Sequence, residues 1–168
     1  MIVPMRTAEE KQLLAQYLAF KMGCTAQELV GAVPFEIVAV ARDGYPVGAV
    51  LYINYRQVSI EMACAGEPGW LTRANLRDLF RYPFVQLGCY TVITTVKRSN
   101  TVARKFNEKL GFTTLGVIES GLGRGEDIIV NTMTRPQCKW LTPADYAAVA
   151  ARVVRSAAAA GEHGRASL

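Results

Sequence analysis

Apolar residues recur at helical spacing near the start of the chain and at every second position further on, and the change of period divides it into elements. In residues 8–23, AEEKQLLAQYLAFKMG, the side chains of Leu13, Leu14, Tyr17, Leu18 and Met22 share one broad face, which predicts an amphipathic helix stopping at Gly23. Residues 25–34 read as a short connection or a second small helix. The segments 35–42, 47–55 and 57–65 are rich in β-branched and aromatic residues, with Asp43-Gly44-Tyr45-Pro46 as a turn, so three sequential antiparallel strands are expected. On the third, Gln57, Ser59, Glu61, Ala63 and Ala65 point one way and Val58, Ile60, Met62 and Cys64 the other. That alternation predicts one core face and one face with a polar group, Glu61, at its centre.

After Gly66-Glu67-Pro68-Gly69 the helical period returns over 72–86, with Leu76, Leu79, Phe80, Phe84 and Leu87 as the buried stripe. Pro83 predicts a kink or an early end, because it lacks a backbone donor and crowds the preceding turn. Residues 90–96 are expected as a strand and 100–110 as a helix with Val102, Phe106 and Leu110 inward and Gly111 at its end. Two last strands, 113–118 and 127–133, are joined by a flexible stretch, 119–126, that holds three glycines. A final helix is expected from Thr142-Pro143 to about Ala160, with Asp145 assisting its start, docked on the domain or on a second copy of the chain. Residues 161–168 read as a frayed tail. The boundaries are therefore a domain over 1–140 and a C-terminal helix with a flexible tail over 141–168, in one α/β unit.

Composition narrows the class. A chain of 168 residues with 51% apolar content supports a single well-buried core. Nineteen basic against 14 acidic residues leave +5 with His163 neutral, a balance that favours anionic ligands and does not separate nucleic acid from a phosphate-bearing cofactor. Cys24, Cys64, Cys89 and Cys138 have no CxxC or CxxH companion, so neither zinc nor haem is indicated and no metal ligand is assigned. They read as reduced, mostly buried residues of a cytoplasmic protein. With the one histidine in the tail, Cys64 and Cys89 are core rather than nucleophiles. No apolar run approaches the roughly 20 residues that cross a bilayer, and no membrane partner is expected.

The segment KRSNTVARKFNEKLGF, residues 97–112, resembles the Asn-x-x-Ala…Glu-Lys-Leu-Gly-Phe stretch of the GNAT superfamily of acyl-CoA-dependent N-acyltransferases, and the element order over residues 7–135 is similar to that family's. Within it the chain looks closest to ribosomal-protein N-terminal acetyltransferase-like and small phage-encoded members, with Cys138-Lys139-Trp140 as the closing element. The resemblance implies a mixed, mostly antiparallel sheet, flanked by helices, that splays between the strands at 57–65 and 90–96. It also implies acetyl-CoA as cofactor. The pantetheine arm would lie along Met62, Ala63 and Cys64, and the diphosphate over Gly69, Trp70, Leu71, Thr72 and Arg73, where a helix N-terminus favours anions. Asn100 would cap the following helix, alone or while also touching the arm.

Two positions depart from the family's pattern. Members usually carry Gln or Arg, two residues, Gly, any residue, then Gly or Ala; this chain has Glu67-Pro68-Gly69-Trp70-Leu71-Thr72-Arg73, which keeps Gly69 alone of the glycine cradle. Where many members have a tyrosine that protonates the leaving thiolate stands Asn107, whose amide orients a substrate or water but is no general acid. Tyr90 is a candidate acid if it faces the splay.

The implied activity is transfer of an acetyl group to a primary amine of a peptide, protein or small metabolite. Glu61 is either paired with Arg56 or Arg73 or is the base that takes the amine's proton, directly or through water. Tyr52 and Asn54 are packing residues or line the acceptor cleft. The cluster Lys97, Arg98, Arg104, Lys105 and Lys109 is a solvated helix face or a holder of phosphates. That patch keeps a second class open, a non-catalytic scaffold of the same fold that binds nucleic acid or a protein partner; a third is a structural protein that forms a homodimer through the terminal helix. Nucleic acid is the less favoured, since the chain lacks a zinc finger and an aromatic RNA-binding strand motif.

Overall fold

The computed structural model describes residues 1–163. Seven strands form one sheet: β1 (Ile2–Pro4), β2 (Phe35–Arg42), β3 (Tyr45–Ile53), β4 (Ser59–Gly66), β5 (Thr91–Lys97), β6 (Thr113–Ile118) and β7 (Ile128–Thr134). Their order is β1-β2-β3-β4-β5-β7-β6. Every neighbouring pair is antiparallel except β4 and β5. The helices are α1 (Ala8–Met22), α2 (Ala26–Val30), α3 (Arg73–Arg81), α4 (Thr101–Leu110) and α5 (Pro143–His163). The expected mixed α/β architecture is observed. The short β1, at three residues, is too brief for its alternation to stand out in the sequence.

Both sheet faces are core. Helices α1 and α2 cover one, where Leu14, Ala15, Leu18 and Val30 meet Ile37, Ala39, Ala49 and Leu51. On the other, α3 and α4 enclose Tyr52, Ile60, Met62, Phe80, Phe84, Val92, Leu110, Phe112 and Met133. The expectation of a single core face on β4 is thus corrected, because Ala63 and Ala65 pack beneath α1. The buried stripe of α1 also differs from the expected one at its margins. Leu14, Ala15, Leu18 and Ala19 face inward, and Leu13 and Met22 are exposed, since alanines let a helix lie closer to a sheet than larger residues would. Thr7 and Glu10 form the capping box that starts α1, and Gly23, at φ +72°, ends it.

Two further differences, in the β3–β4 link and in α4, stand beside one break that the sequence predicts, at Pro83. The link between β3 and β4 is five residues long, with Asn54 and Gln57 in left-handed conformations, so β3 stops before Tyr55. At Pro83 the helix α3 gives way to a π turn, Tyr82–Gln86, in which Leu87 N–H reaches Tyr82 O; the Leu79 carbonyl that proline has no N–H to meet accepts the Tyr52 hydroxyl at 2.7 Å instead. In α4 the inward face runs through Asn107 and Leu110, and Val102 is 79% exposed.

The N-terminal half of α5 is docked on its own domain. Asp145, 3% exposed, accepts from the N–H and hydroxyl of Thr142 at 2.8 and 2.7 Å and lies within 3.4 Å of Arg77 Nε and 2.7 Å of Arg81 Nε on α3. Tyr146 donates its hydroxyl to Arg135 O, and Arg152 donates to the carbonyls of Val85 and Gln86 at the π turn. Of the expected tail, residues 161–163 belong to α5 and 164–168 lie outside the described residues. No described helix is long and apolar enough to cross a membrane.

Candidate active site

Strands β4 and β5 keep company for only three rungs, Ser59↔Thr91, Ile60↔Val92 and Glu61↔Ile93, before they part. Neighbouring bonds fix which backbone groups face the opening. Glu67 N–H bonds Val47 O at 2.7 Å, and Val58 O accepts the N–H groups of Tyr90 and Thr91 at 2.7 and 3.1 Å. Odd-numbered residues of β4 therefore turn to β3 and even-numbered ones to β5. Past the last rung, the carbonyl of Met62 and both backbone groups of Cys64 face the opening with no strand to meet. Across it, Arg135 N–H bonds Tyr90 O at 2.8 Å and Arg98 N–H bonds Asp127 O at 2.9 Å, so even-numbered residues of β5 face β7 and Thr95 turns its groups to the gap. Unpaired backbone inside a sheet is costly unless something satisfies it, and an extended ligand with spaced amides matches this edge. Ala63, grouped with Met62 and Cys64 in the sequence, is different. Its backbone faces β3 opposite Leu51 and its side chain packs toward α1.

The far end of β4 leads into the start of α3. Thr72 caps this helix, its hydroxyl oxygen accepting Asn75 N–H at 3.1 Å, while Leu76 N–H goes to Thr72 O. The first-turn N–H groups of Arg73 and Ala74 are left pointing out of the helix end, where they favour an anion. Gly69 adopts φ +72° and presents its carbonyl to Arg42 Nη2 at 2.9 Å. Leu71 is half-buried; Thr72 and Arg73 are exposed, and Arg73 has no ion pair among the described residues.

Trp70 requires a correction. Its indole is 7% exposed and lies on the cross-strand pair Gly48 and Gly66, where an added Cβ would come within 2.1 and 2.6 Å of the ring. The ring is therefore a core residue that holds the turn against β3 and β4, and only its backbone is left for a ligand.

Glu61 stands on the last rung, opposite Ile53 of β3. Arg56 Nη1, on an arginine 57% exposed, donates to its Oε1 at 3.1 Å, so the ion pair open to either Arg56 or Arg73 in the sequence is made with Arg56. Asn107 is buried on the inner side of α4, and Asn100 is the N-cap of that helix, its Oδ1 accepting Ala103 N–H at 3.0 Å. Tyr90 lies at the closed end of the β4–β5 pair, about 13 Å of strand short of Thr94, where the gap opens. Its ring is 49% exposed and sits beneath the Arg135 guanidinium at 5.8 Å. The geometry is against its proposed role as the acid.

Burial pushes the Cys64 thiol up to about 12 and that of Cys89 upward as well, which disfavours the thiolate form in both. At the mouth of the gap, the loop 119–127 is anchored where the sequence suggested flexibility. Arg98 Nη1 donates to Asp127 Oδ2 at 2.9 Å, the Ser99 hydroxyl donates to Glu126, and Ser120 N–H donates to Asp127 Oδ1 at 3.0 Å. The Ser120 N–H and the Arg98 side chain together hold the Asp127 carboxyl below its usual range. Sequence reading missed this clamp, and it also missed Thr94 and Asn131, whose only signal is a polar residue inside the apolar alternations Val92-Thr94-Val96 and Ile129-Asn131-Met133.

No protein-family profile and no curated protein matches the chain. Solved structures do. A candidate GNAT-family acetyltransferase from Desulfovibrio desulfuricans is 18% identical with a TM-score of 0.62, over 80% of this chain and 98% of the other. A variant of the spermidine N-acetyltransferase of Vibrio cholerae is 15% identical with a TM-score of 0.62, over 86% and 99%. An aminoglycoside 6′-N-acetyltransferase in complex with coenzyme A is 15% identical with a TM-score of 0.60, over 80% and 96%. The fold is that of the GNAT acetyltransferases. The parting of β4 from β5 is thus set in an architecture shared with these proteins over nearly their whole length.

Proposed function

We propose that this chain is an acyl-CoA-dependent N-acyltransferase that moves an acetyl group from acetyl-CoA to a primary amine of a peptide, protein or small metabolite. The observation that carries the reading is the three-rung pairing of β4 with β5, followed by unpaired groups of Met62 and Cys64 that lead toward the N-terminus of α3. A pantetheine arm has amides at the spacing of a strand, and a diphosphate suits the free N–H groups and the charge of Arg73. These residues fit the group. In this reading Met62 and Cys64 hold the arm, Gly69, Leu71, Thr72 and Arg73 hold the diphosphate, and Asn100 stands at the arm's side of α4. When bound, the cofactor supplies an acyl carbon already activated as a thioester.

The chain's own residues then have limited work to do: they hold the amine against the gap, remove its proton and exclude water. Glu61, on the last rung, accepts the proton directly or through a water, and Asn107 orients rather than protonates. Proteins of this fold include enzymes named for a polyamine and an aminoglycoside, which makes small cationic amines the first acceptors to test. The resemblance to ribosomal-protein N-terminal acetyltransferase-like and phage-encoded members, carried by Asn100 after β5 and by Cys138-Lys139-Trp140, makes a protein N-terminus the second. Calorimetry of the folded protein with acetyl-CoA and with CoA should show micromolar binding, on the order of −8 kcal/mol. Absence of binding to both overturns the reading in favour of a scaffold that binds a protein partner or nucleic acid.

A further inference from the structure

Among the described residues five polar or charged side chains are buried: Asn75, Thr94, Asn107, Asn131 and Asp145. Asn75 donates to Trp70 O and Asp145 is fully engaged by Thr142 and the α3 arginines. Of the other three, Asn107 lies on the inward face of α4, and Thr94 and Asn131 stand side by side on the sheet. Thr94 is paired with Asn131 across β5 and β7, and Asn131 with Thr114 across β7 and β6, so the three side chains form a row on one sheet face. Val92 and Met133, two residues along from Thr94 and Asn131 on that face, share a core cluster with Met62 and with Leu110, one turn beyond Asn107 on α4.

The row is incompletely satisfied. Thr114 Oγ1 donates to Asn131 Oδ1 at 3.1 Å, but Asn131 Nδ2 has no partner although the residue is only 6% exposed. With its oxygen engaged on the β6 side, the amide carries its free N–H groups away from β6. Thr94, 8% exposed, is the first β5 residue past the last rung with β4. A buried donor without an acceptor is expensive and is kept where something meets it. The gap closes at Glu61 and Ile93, so a thioester lying along it must end at the level of Thr94.

We propose that Asn131 and Thr94 form a donor pocket that stabilises the thiolate leaving group of acyl transfer. The inference rests on the acyl-CoA reading above. In the transfer the new C–N bond forms as the C–S bond breaks, the C–S electron pair ends on sulfur as a thiolate, and the proton shed by nitrogen goes to Glu61 or to water. The amide and hydroxyl donors need not surrender a proton. They offset the developing charge where water is excluded, and the thiolate is protonated after release. This supplies what a phenol at position 107 would otherwise give.

The test compares the affinities of the folded protein for CoA and for desulfo-CoA, which lacks the thiol, from pH 6.5 to 9.5. A pocket that prefers thiolate makes CoA bind progressively more tightly than desulfo-CoA as pH rises, by roughly tenfold or more across the range. Asn131→Leu and, separately, the near-isosteric Thr94→Val should flatten that ratio while leaving desulfo-CoA affinity within about twofold. The melting temperature of Asn131→Leu should hold or rise, since an unpaired buried donor is removed; a merely structural amide predicts a fall. A flat ratio in the parent protein, or an undiminished one in the variants that fold, overturns the pocket. Loss of binding to CoA and desulfo-CoA alike overturns the acyl-CoA reading, and the pocket with it.

Discussion

Replacing one carboxylate oxygen of Glu61 by an amide nitrogen separates its two roles. Its partner Arg56 is 57% exposed, and an ion pair in that setting contributes at most about 1 kcal/mol. Glu61→Gln should therefore keep its melting temperature and CoA affinity. If Glu61 is the base, turnover with a suitable amine falls by roughly 10²- to 10⁴-fold and recovers in part at higher pH, as the amine deprotonates itself. An unchanged rate per folded molecule across pH would leave Glu61 as a partner of Arg56 alone. Asp145 makes the opposite case, a carboxylate whose work is structural. Burial alone would raise its carboxyl, but the Thr142 hydroxyl and N–H and the Arg77 guanidinium outweigh that and bring it from 3.8 down to about 2. The folded state thus holds the ionised form more strongly than the unfolded one does. Its contribution to stability is present above about pH 4 and is lost as pH falls through 2. Asp145→Asn should remove that part of the acid-unfolding curve and lower stability at neutral pH by roughly 1–3 kcal/mol; a variant that melts like the parent at both pH values would show that the α3–α5 contact is held by apolar packing.

At the scale of elements, the turn that enters α3 depends on an indole packed on two glycines. Gly48→Ala would place a methyl within 2.1 Å of the Trp70 ring, an overpacking that typically costs about 1–3 kcal/mol. Trp70→Ala leaves a cavity and costs roughly 3–5 kcal/mol. Urea unfolding of the double variant should show less than the sum, because the smaller side chain makes room for the methyl; simple additivity would mean that the ring is not what the methyl meets. These contacts also explain what the sequence could and could not disclose. The bounds of β2 and β6 and the glycine stop of α4 agree with the reading of the chain, since each depends on local alternation or a local φ requirement. Leu14, Tyr17 and Leu18 of α1 and Phe106 and Leu110 of α4 face the core as their spacing predicts. Leu13, Met22 and Val102, at the margins of those stripes, are exposed, because small Ala15 and Ala19 in α1 and the amide of Asn107 in α4 take the inward positions instead. Trp70 was read as a ligand contact because its partners, Gly48 and Gly66, are joined to it only through strand register. Glu61, Met62 and Cys64 fell on the edge of the gap because strand period and family resemblance agreed there. Asn131 was invisible, since one polar residue in an apolar strand has no local mark of being unpaired.

For the whole molecule, the sheet is two blocks, β1–β4 and β5–β7-β6, hydrogen-bonded to each other through three rungs and otherwise held by the core beneath α3 and α4. A ligand lying along β4 would restore strand-like bonding over the stretch where the blocks part. Amide hydrogen exchange reads this residue by residue. In the free protein the N–H of Cys64, which faces the gap, should exchange quickly, whereas those of Ala63 and Ala65 on the same strand, bonded toward β3, should be protected. Saturating CoA should slow Cys64 strongly and change Ala63 and Ala65 much less, and at about 100 times its dissociation constant it should stabilise the fold by about 2.7 kcal/mol. That stabilisation would slow all three amides equally if it acted only through global unfolding, so the contrast between Cys64 and its neighbours is the informative quantity. CoA binding that leaves Cys64 as fast as before would place the pantetheine arm away from β4, and the open backbone edge would then need a different ligand.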